Sequence, residues 1–134
     1  MGAWGVAPFD NDDAADFLQE LLEDGAPALQ EAFEVVLDIE GYLEATEGAR
    51  AVAAAEVLAA HLGGDPEPLT SPELRPWLGT LGPAELAHLS EPALDALERV
   101  EGEESELADQ WAEGGEAAAW RAELERLRAV LAGR

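Results

Sequence analysis

The sequence predicts a single all-α domain over residues 1–134, folded as a bundle of five to seven helices with no significant sheet. The first observation behind this prediction is that apolar residues recur three or four positions apart along most of the chain, as on one helix face. The second is that no segment alternates apolar and polar residues as a half-buried strand does. The third is that the proline- and glycine-rich joint at residues 63–72 is too short to link two domains.

The first helix is predicted to begin at Asp10, which can cap it, with Phe9 packed in front of the cap. Beyond the cap, Phe17 and Leu21 belong to one apolar stripe. Gly25 then ends the helix, because glycine readily adopts the left-handed conformation found at helix ends.

A second helix is predicted over residues 27–40, since Pro27 suits a first turn and Gly41 disfavours continuation of the helix. Its buried face is predicted to comprise Leu29, Phe33, Val36 and Leu37.

A third helix is predicted over residues 47–62, capped by Thr46. Its many alanines would let neighbouring helix axes come close, so we expect it to be the central helix of the bundle. His61 lies in its last turn, where the helix dipole favours a cation, and is therefore interpreted as a capping residue.

Shorter helices are predicted after the joint: a turn at residues 72–78, starts at Gly82-Pro83 and Ser90-Glu91-Pro92, and a helix capped by Ser105. The last helix carries a heptad seam formed by Ala117, Trp120, Leu124, Leu127 and Leu131. Because this seam is shorter than three heptads, we expect it to pack within the chain. The core is predicted to be seeded by Trp4, Phe17, Leu21, Phe33, Leu58, Trp111 and Trp120.

Net charge is the most unusual property of the chain, with 30 acidic residues against 7 basic ones and a formal charge of −23. Such a surface repels nucleic acids and anionic membranes and attracts cations and basic proteins. Genome composition or a salty host would also produce it. The lack of cysteine excludes disulfide scaffolds and cysteine nucleophiles. With no signal peptide or membrane span evident in the sequence, we expect a cytoplasmic protein.

The acidic residues at the start of the first helix allow two interpretations. In the first, they cap the helix, complement its dipole and face solvent. In the second, they form an oxygen-rich binding site for a hard cation or a basic partner. The residues concerned are Asp10, Asn11, Asp12, Asp13 and Asp16.

An alternative hypothesis is metal-assisted hydrolysis, in which carboxylates on facing helices hold magnesium, manganese or calcium. Asp12 and Asp16 could act together with Glu44 and Glu47, which are spaced to lie on one helix face. With so many acidic residues, however, such spacings also arise by chance. A chain this poor in basic residues also offers little beyond Arg50 to bind a phosphate. Two histidines without cysteine do not predict a structural zinc site.

Several sequence motifs together resemble a known family. They are Gly2-Ala3-Trp4-Gly5, the Pro8–Ala14 segment, Tyr42–Ala45, Ala53–Glu56, and the tail pattern Ser105-Glu106-Leu107 with Trp111, Trp120, Leu124 and Leu127. The chain thereby resembles the bacterial domain of unknown function 4259 over nearly its whole length. The resemblance implies a small bacterial protein and carries no catalytic residues over to this sequence.

We therefore expect a non-enzymatic, acidic binding protein that neutralises a basic protein partner, as an immunity or inhibitor protein does. It needs no cofactor and binds neither nucleic acid nor membrane. The first alternative is a divalent-metal-dependent phosphohydrolase that uses the four carboxylates named above. The second is a structural homo-oligomer in which the last helix pairs with its copy, so that a monomer and a homodimer both remain open.

Overall fold

The computed structural model describes residues 12–63, 74–82 and 85–133, and within these ranges all side chains except those of residues 12–15, 63, 74 and 75. This part of the chain contains seven α-helices: α1 (Asp12–Asp24), α2 (Ala26–Asp38), α3 (Ala45–Gly63), α4 (Leu74–Gly79), α5 (Ser90–Glu101), α6 (Glu106–Glu113) and α7 (Ala117–Leu131). A 3-10 turn at Ala87–Leu89 leads into α5. Within the described ranges, the only strand-like pairing is an isolated parallel bridge between Leu43 and Ser105. The predicted all-α bundle is confirmed.

The central helix is α3, as its alanine content predicted. It packs against α1, α2, α5, α6 and α7. Every residue from Ala51 to Ala60 is buried, because small side chains let the neighbouring helices approach from all sides. A Cβ added at Gly48 would lie 3.4 Å from the Cβ of Leu107, so the start of α3 lies close to α6. None of the helices described is both long and apolar enough to cross a membrane.

A glycine precedes α2 directly, and another lies three residues beyond its end. Gly25 adopts φ +77°, and its N–H donates to the Leu21 carbonyl oxygen at 2.7 Å, which closes α1 as predicted. α2 ends at Asp38, two residues earlier than predicted, and Gly41 follows with φ +82°. The predicted break before Tyr42 is therefore confirmed.

The predicted burial of Leu37 is wrong, since this side chain is 42 % exposed. Leu29, Phe33 and Leu37 form an i, i+4 row, and such a row rotates by about 40° at each step around a helix of 3.6 residues per turn. Leu29 and Phe33 are fully buried, but by Leu37 the row has turned out of the core. Ala28 and Ala32 complete the inner face instead.

The predicted cap of α3 is also wrong. The helix begins at Ala45, so Thr46 lies inside its first turn. The Ala45 N–H instead donates to Oε1 of Glu106 at 2.7 Å, so a side chain of α6 caps α3. The cap predicted for α6 is confirmed, because the Ala108 N–H donates to the Ser105 hydroxyl at 3.4 Å.

The predicted core residues are largely confirmed where the structure describes them. Those that are buried are Phe17, Leu21, Phe33, Leu58 and Trp120. Trp111 is partly buried and stacks on Trp120, with 6.1 Å between ring centroids and an interplanar angle of 12°. Trp4 lies outside the described residues.

The seam of α7 packs inside the chain, as predicted. Its buried members are Trp120, Leu124, Leu127 and Leu131, whereas Ala117 is partly exposed. These leucines are therefore not available on the surface to pair with a copy of the helix.

The far end of α3 contacts the segment that follows α4. His61 Nε2 lies 3.0 Å from the Gly82 carbonyl oxygen. His61 thus contacts a carbonyl distant in sequence, which its interpretation as a cap did not predict. His88 is exposed. Apart from residue 63, the predicted joint at 63–72 lies outside the described residues.

Candidate functional site

The connection between α2 and α3 is held by the connection between α5 and α6. Arg99, near the end of α5, donates to the carbonyl oxygens of Glu103 at 3.4 Å and Glu104 at 3.3 Å, and also to that of Gly41. The Leu43 N–H donates to the Glu104 carbonyl oxygen at 2.7 Å, and the Glu106 N–H donates back to Leu43 at 2.8 Å. Two loops far apart in sequence are therefore fixed to one another by backbone groups.

A side-chain contact reinforces this connection. The exposed Tyr42 hydroxyl donates to Oδ2 of Asp109 at 2.7 Å. This hydrogen bond is the main reason why the pKa of Tyr42 is raised to about 12. The negative charges of Asp109, Glu106 and Glu113 raise it further. Tyr42 thus joins the first loop to α6 as a neutral donor.

An open groove of about 640 Å³ lies beside these two loops. We call it the acidic groove. It is lined by Ile39, Gly41, Asp95, Glu98, Arg99, Gly102, Glu103 and Glu104. Four acidic residues and one arginine thus line the groove, and the guanidinium of that arginine binds backbone carbonyls. The lining is therefore mostly acidic, and Ile39, which is partly buried against the core, adds an apolar side chain to it.

One acidic residue of the groove adopts an unusual backbone conformation. Glu104 has φ 58°, the only positive φ of a non-glycine residue in the described ranges. This left-handed conformation costs an L-residue about 1–2 kcal/mol. The hydrogen bonds that the Glu104 carbonyl accepts from Leu43 and Arg99 hold it there.

Replacing Glu104 with glycine is expected to raise the free energy of unfolding by about 0.5–1 kcal/mol, because glycine adopts positive φ without strain. Glu103→Gly removes the same charge where φ is not positive, so the added chain entropy should lower stability by a similar amount. Urea denaturation of both variants measures the difference. Equal destabilisation by the two substitutions would contradict the prediction.

A second, smaller cavity of about 30 Å³ lies where α1, α2 and α3 meet. We call it the three-helix cavity. It is lined by Glu20, Ala28, Glu31, Ala32, Val35, Glu47 and Arg50. Arg50 forms an ion pair with Glu20 and lies over the Phe17 ring at 5.6 Å from its centroid. Oε2 of Glu47 is buried without a hydrogen-bond partner among the described residues.

A buried ion pair joins the central helix to α7. Glu56 on α3 is 1 % exposed, and Nη2 of Arg126 lies 2.7 Å from each of its carboxylate oxygens. Hydrogen bonds to Glu123, in the first place, and to Glu56 raise the pKa of Arg126 above its ordinary value. We assign this pair a structural role, because it holds a buried carboxylate at a helix contact.

The predicted partner-binding residues at the start of α1 are only partly described. Asp10 and Asn11 lie outside the described residues, and Asp12 and Asp13 form the first turn of α1 with side chains that are not described. Asp16 is exposed. This position suits the solvent-facing interpretation and leaves a binding role as a prediction.

The predicted metal ligands are not brought together in the described part of the chain. Glu44 is exposed before α3, whereas Glu47 borders the three-helix cavity with Glu20 and Glu31. Among the described residues, no three histidine or carboxylate side chains lie in an arrangement that could hold a metal ion. Because the Asp12 side chain is not described, the four-carboxylate site stays a prediction.

Sequence reasoning missed both the acidic groove and the three-helix cavity. The dense acidic run at residues 101–104 around Gly102 was the one local signal for the groove. The other lining residues come from α5 and from the connection after α2, and only the fold brings them together.

Comparison with known proteins gives one result. A family model with the description "Domain of unknown function (DUF4259)" matches residues 2–123. Neither the curated proteins nor the solved structures contain a match to the chain.

Proposed function

The chain belongs to the DUF4259 family, and because the description of that family assigns no function, we propose one from the surface of the chain itself. It is an acidic, non-enzymatic helical protein that binds a basic protein partner and neutralises it, as an immunity or inhibitor protein does. A cytoplasmic location is part of this proposal. The acidic groove is the observation that carries it.

The shape and charge of the acidic groove support this role. Its volume of about 640 Å³ is large enough for several side chains of a partner. Its four carboxylates attract lysine and arginine, whose aliphatic stems could pack on Ile39. The formal charge of −23 adds long-range attraction, which accelerates encounter with a basic protein and weakens as salt is added.

Rigidity of the groove also supports the proposal. Hydrogen bonds from Arg99 and the Leu43–Ser105 bridge join both of its loops within the chain itself. A preformed surface loses less conformational entropy on binding than a mobile one does.

The test compares two variants that remove equal charge. The first combines Asp95→Asn, Glu98→Gln and Glu103→Gln in the acidic groove. The matched control combines three exposed positions on α1 and α2, namely Glu23→Gln, Asp24→Asn and Glu34→Gln. Calorimetry measures the affinity of each for a synthetic peptide in which arginine and lysine alternate with serine.

The groove variant is expected to bind this peptide about tenfold more weakly than the unchanged chain, because exposed charge pairs contribute about 0.2–1 kcal/mol each. The control should change affinity by about threefold at most, through long-range charge alone. An equal loss in both variants would show that binding depends only on total charge, and no binding of the peptide to the unchanged chain at low salt would refute the function.

A further inference from the structure

Arg99 is the one basic residue in the described lining of the acidic groove. Its guanidinium donates to the backbone carbonyl oxygens of Glu103 at 3.4 Å and Glu104 at 3.3 Å, and also to that of Gly41. None of the ion pairs between described residues joins Arg99 to a carboxylate. Arg99 therefore binds neutral backbone groups and forms no ion pair with the acidic side chains of the groove.

All three acceptors of Arg99 line the groove themselves. Gly41 belongs to the loop after α2, and the other two belong to the loop after α5. The bridge between Leu43 and Ser105 joins the same two loops, but neither of its residues lines the groove. Arg99 is thus the contact that places the lining residues of one loop against those of the other.

The backbone of each loop has a left-handed residue where it meets Arg99. Gly41 has φ +82° and Glu104 has φ 58°, and the carbonyl oxygens of both accept hydrogen bonds from Arg99. For Glu104, an L-residue, this conformation is unfavourable and persists only where contacts offset its cost. Arg99 supplies such a contact to Glu104 and binds the other loop at Gly41.

The position and chemistry of Arg99 suit this role. It lies in the last turn of α5, where the helix dipole favours a cation. A guanidinium holds several N–H donors in a rigid planar fork, so one side chain can bind carbonyls from two segments at once. These contacts explain why a groove with four acidic residues also contains an arginine.

We infer that Arg99 is a positioning residue of the acidic groove, which holds the two loops in the arrangement that binds the basic partner. This inference rests on the proposed function, which supplies the partner, and it adds the residue that shapes the binding site. The charge of Arg99 has the same sign as the partner and repels it. Charge alone and positioning therefore predict opposite effects when Arg99 is replaced.

The experiment replaces Arg99 with methionine, which keeps most of the side-chain length and removes the charge and the donors. Calorimetry measures binding of the peptide in which arginine and lysine alternate with serine. We expect about tenfold weaker binding, as when only about a tenth of the molecules keep the competent groove. Removal of a repelling charge without any change of shape would instead tighten binding by about fivefold at most.

Two further variants separate the shape of the side chain from its charge. Arg99→Lys keeps the charge but replaces the planar fork with a single ammonium, so it is expected to weaken binding by at least about threefold. Arg121→Met removes one positive charge from an exposed position on α7 and should tighten binding slightly or leave it unchanged. Circular dichroism at the temperature of the calorimetry verifies that each variant is folded, and Arg99→Lys alone decides the test if Arg99→Met is not.

A double-mutant cycle shows whether Arg99 acts through the groove. Arg99→Met is combined with Asp95→Asn, Glu98→Gln and Glu103→Gln, which remove three of the groove carboxylates. If Arg99 positions these carboxylates, its replacement should change affinity by less than about twofold in this background, because little remains to be positioned. A general loss of structure would instead weaken binding equally in both backgrounds.

The outcomes separate this inference from the proposed function. Unchanged or tighter binding by folded Arg99→Met, or affinity of Arg99→Lys equal to that of the unchanged chain, would overturn the positioning role and leave the function standing. Equal losses in the two backgrounds would also overturn it. No binding of the peptide to the unchanged chain at low salt would refute the proposed function and, with it, this inference.

Discussion

Replacing Arg126 with methionine is expected to lower the free energy of unfolding by about 3 kcal/mol, near the lower end of the range for breaking a buried ion pair. The cause is that Glu56 is 1 % exposed and would lose both hydrogen bonds from the guanidinium. The lower end applies because the Arg126 side chain itself is 39 % exposed and partly hydrated. Urea denaturation followed by circular dichroism measures the change.

The matched control for this prediction is Arg121→Met, on the exposed side of the same helix, which should change stability by about 0.5 kcal/mol or less. The double variant Glu56→Met with Arg126→Met should recover part of the loss, because no buried charge remains. If Arg126→Met and Arg121→Met are equally mild, the ion pair does not stabilise the contact between α3 and α7.

Truncating Leu58 to alanine is expected to cost about 3 kcal/mol of stability, because this fully buried side chain lies on the helix that touches five others. The same truncation at Leu37 tests the finding that this residue lies at the surface, and should cost less than about 1 kcal/mol. Thermal and urea unfolding of both variants compare the two sites directly.

Leu58→Met serves as a volume-conserving control and should cost less than about 1.5 kcal/mol. A Leu37→Ala variant as damaging as Leu58→Ala would mean that Leu37 is buried after all, for instance against another copy of the chain. The comparison therefore also examines whether the α2 surface at Leu37 is covered by a second copy of the chain.

Local sequence patterns were sufficient to predict most of the helices. The last helix begins and ends as the spacing of its apolar residues indicated, at Ala117 and Leu131. The Ser105 cap was predictable because it depends on a residue only three positions away. The central place of α3 followed from its alanine content, which limits side-chain volume on every face.

Interactions between distant segments were not predictable in this way. The carboxylate that caps α3 belongs to Glu106, 61 positions away from Ala45, and Thr46 offered a plausible local substitute. Arg126 lies 70 positions from Glu56. No local sequence pattern indicates that Ala45 meets Glu106 or that Glu56 meets Arg126, because these contacts arise from packing between helices.

The candidate sites also combine a property that the sequence predicts with contacts that only the fold creates. Counting acidic residues predicted a surface that attracts cations, but it could not select the carboxylates that share a concavity. The set built on Asp12, Asp16, Glu44 and Glu47 relied on helical spacing alone. Of the three whose side chains the structure describes, namely Asp16, Glu44 and Glu47, only Glu47 lines either of the two concavities, together with residues of α1 and α2.

The bridge between Leu43 and Ser105 joins the start of the central helix to a segment that is synthesised much later, which affects the order of folding. The first turn of the central helix takes its cap from Glu106, and the preceding connection is pinned by Tyr42 to Asp109. A nascent chain that has not yet emerged past residue 109 therefore lacks these supports at the start of its longest helix. The start of the central helix is therefore stabilised only after α6 has been synthesised. We expect the chain to fold cooperatively only late in synthesis.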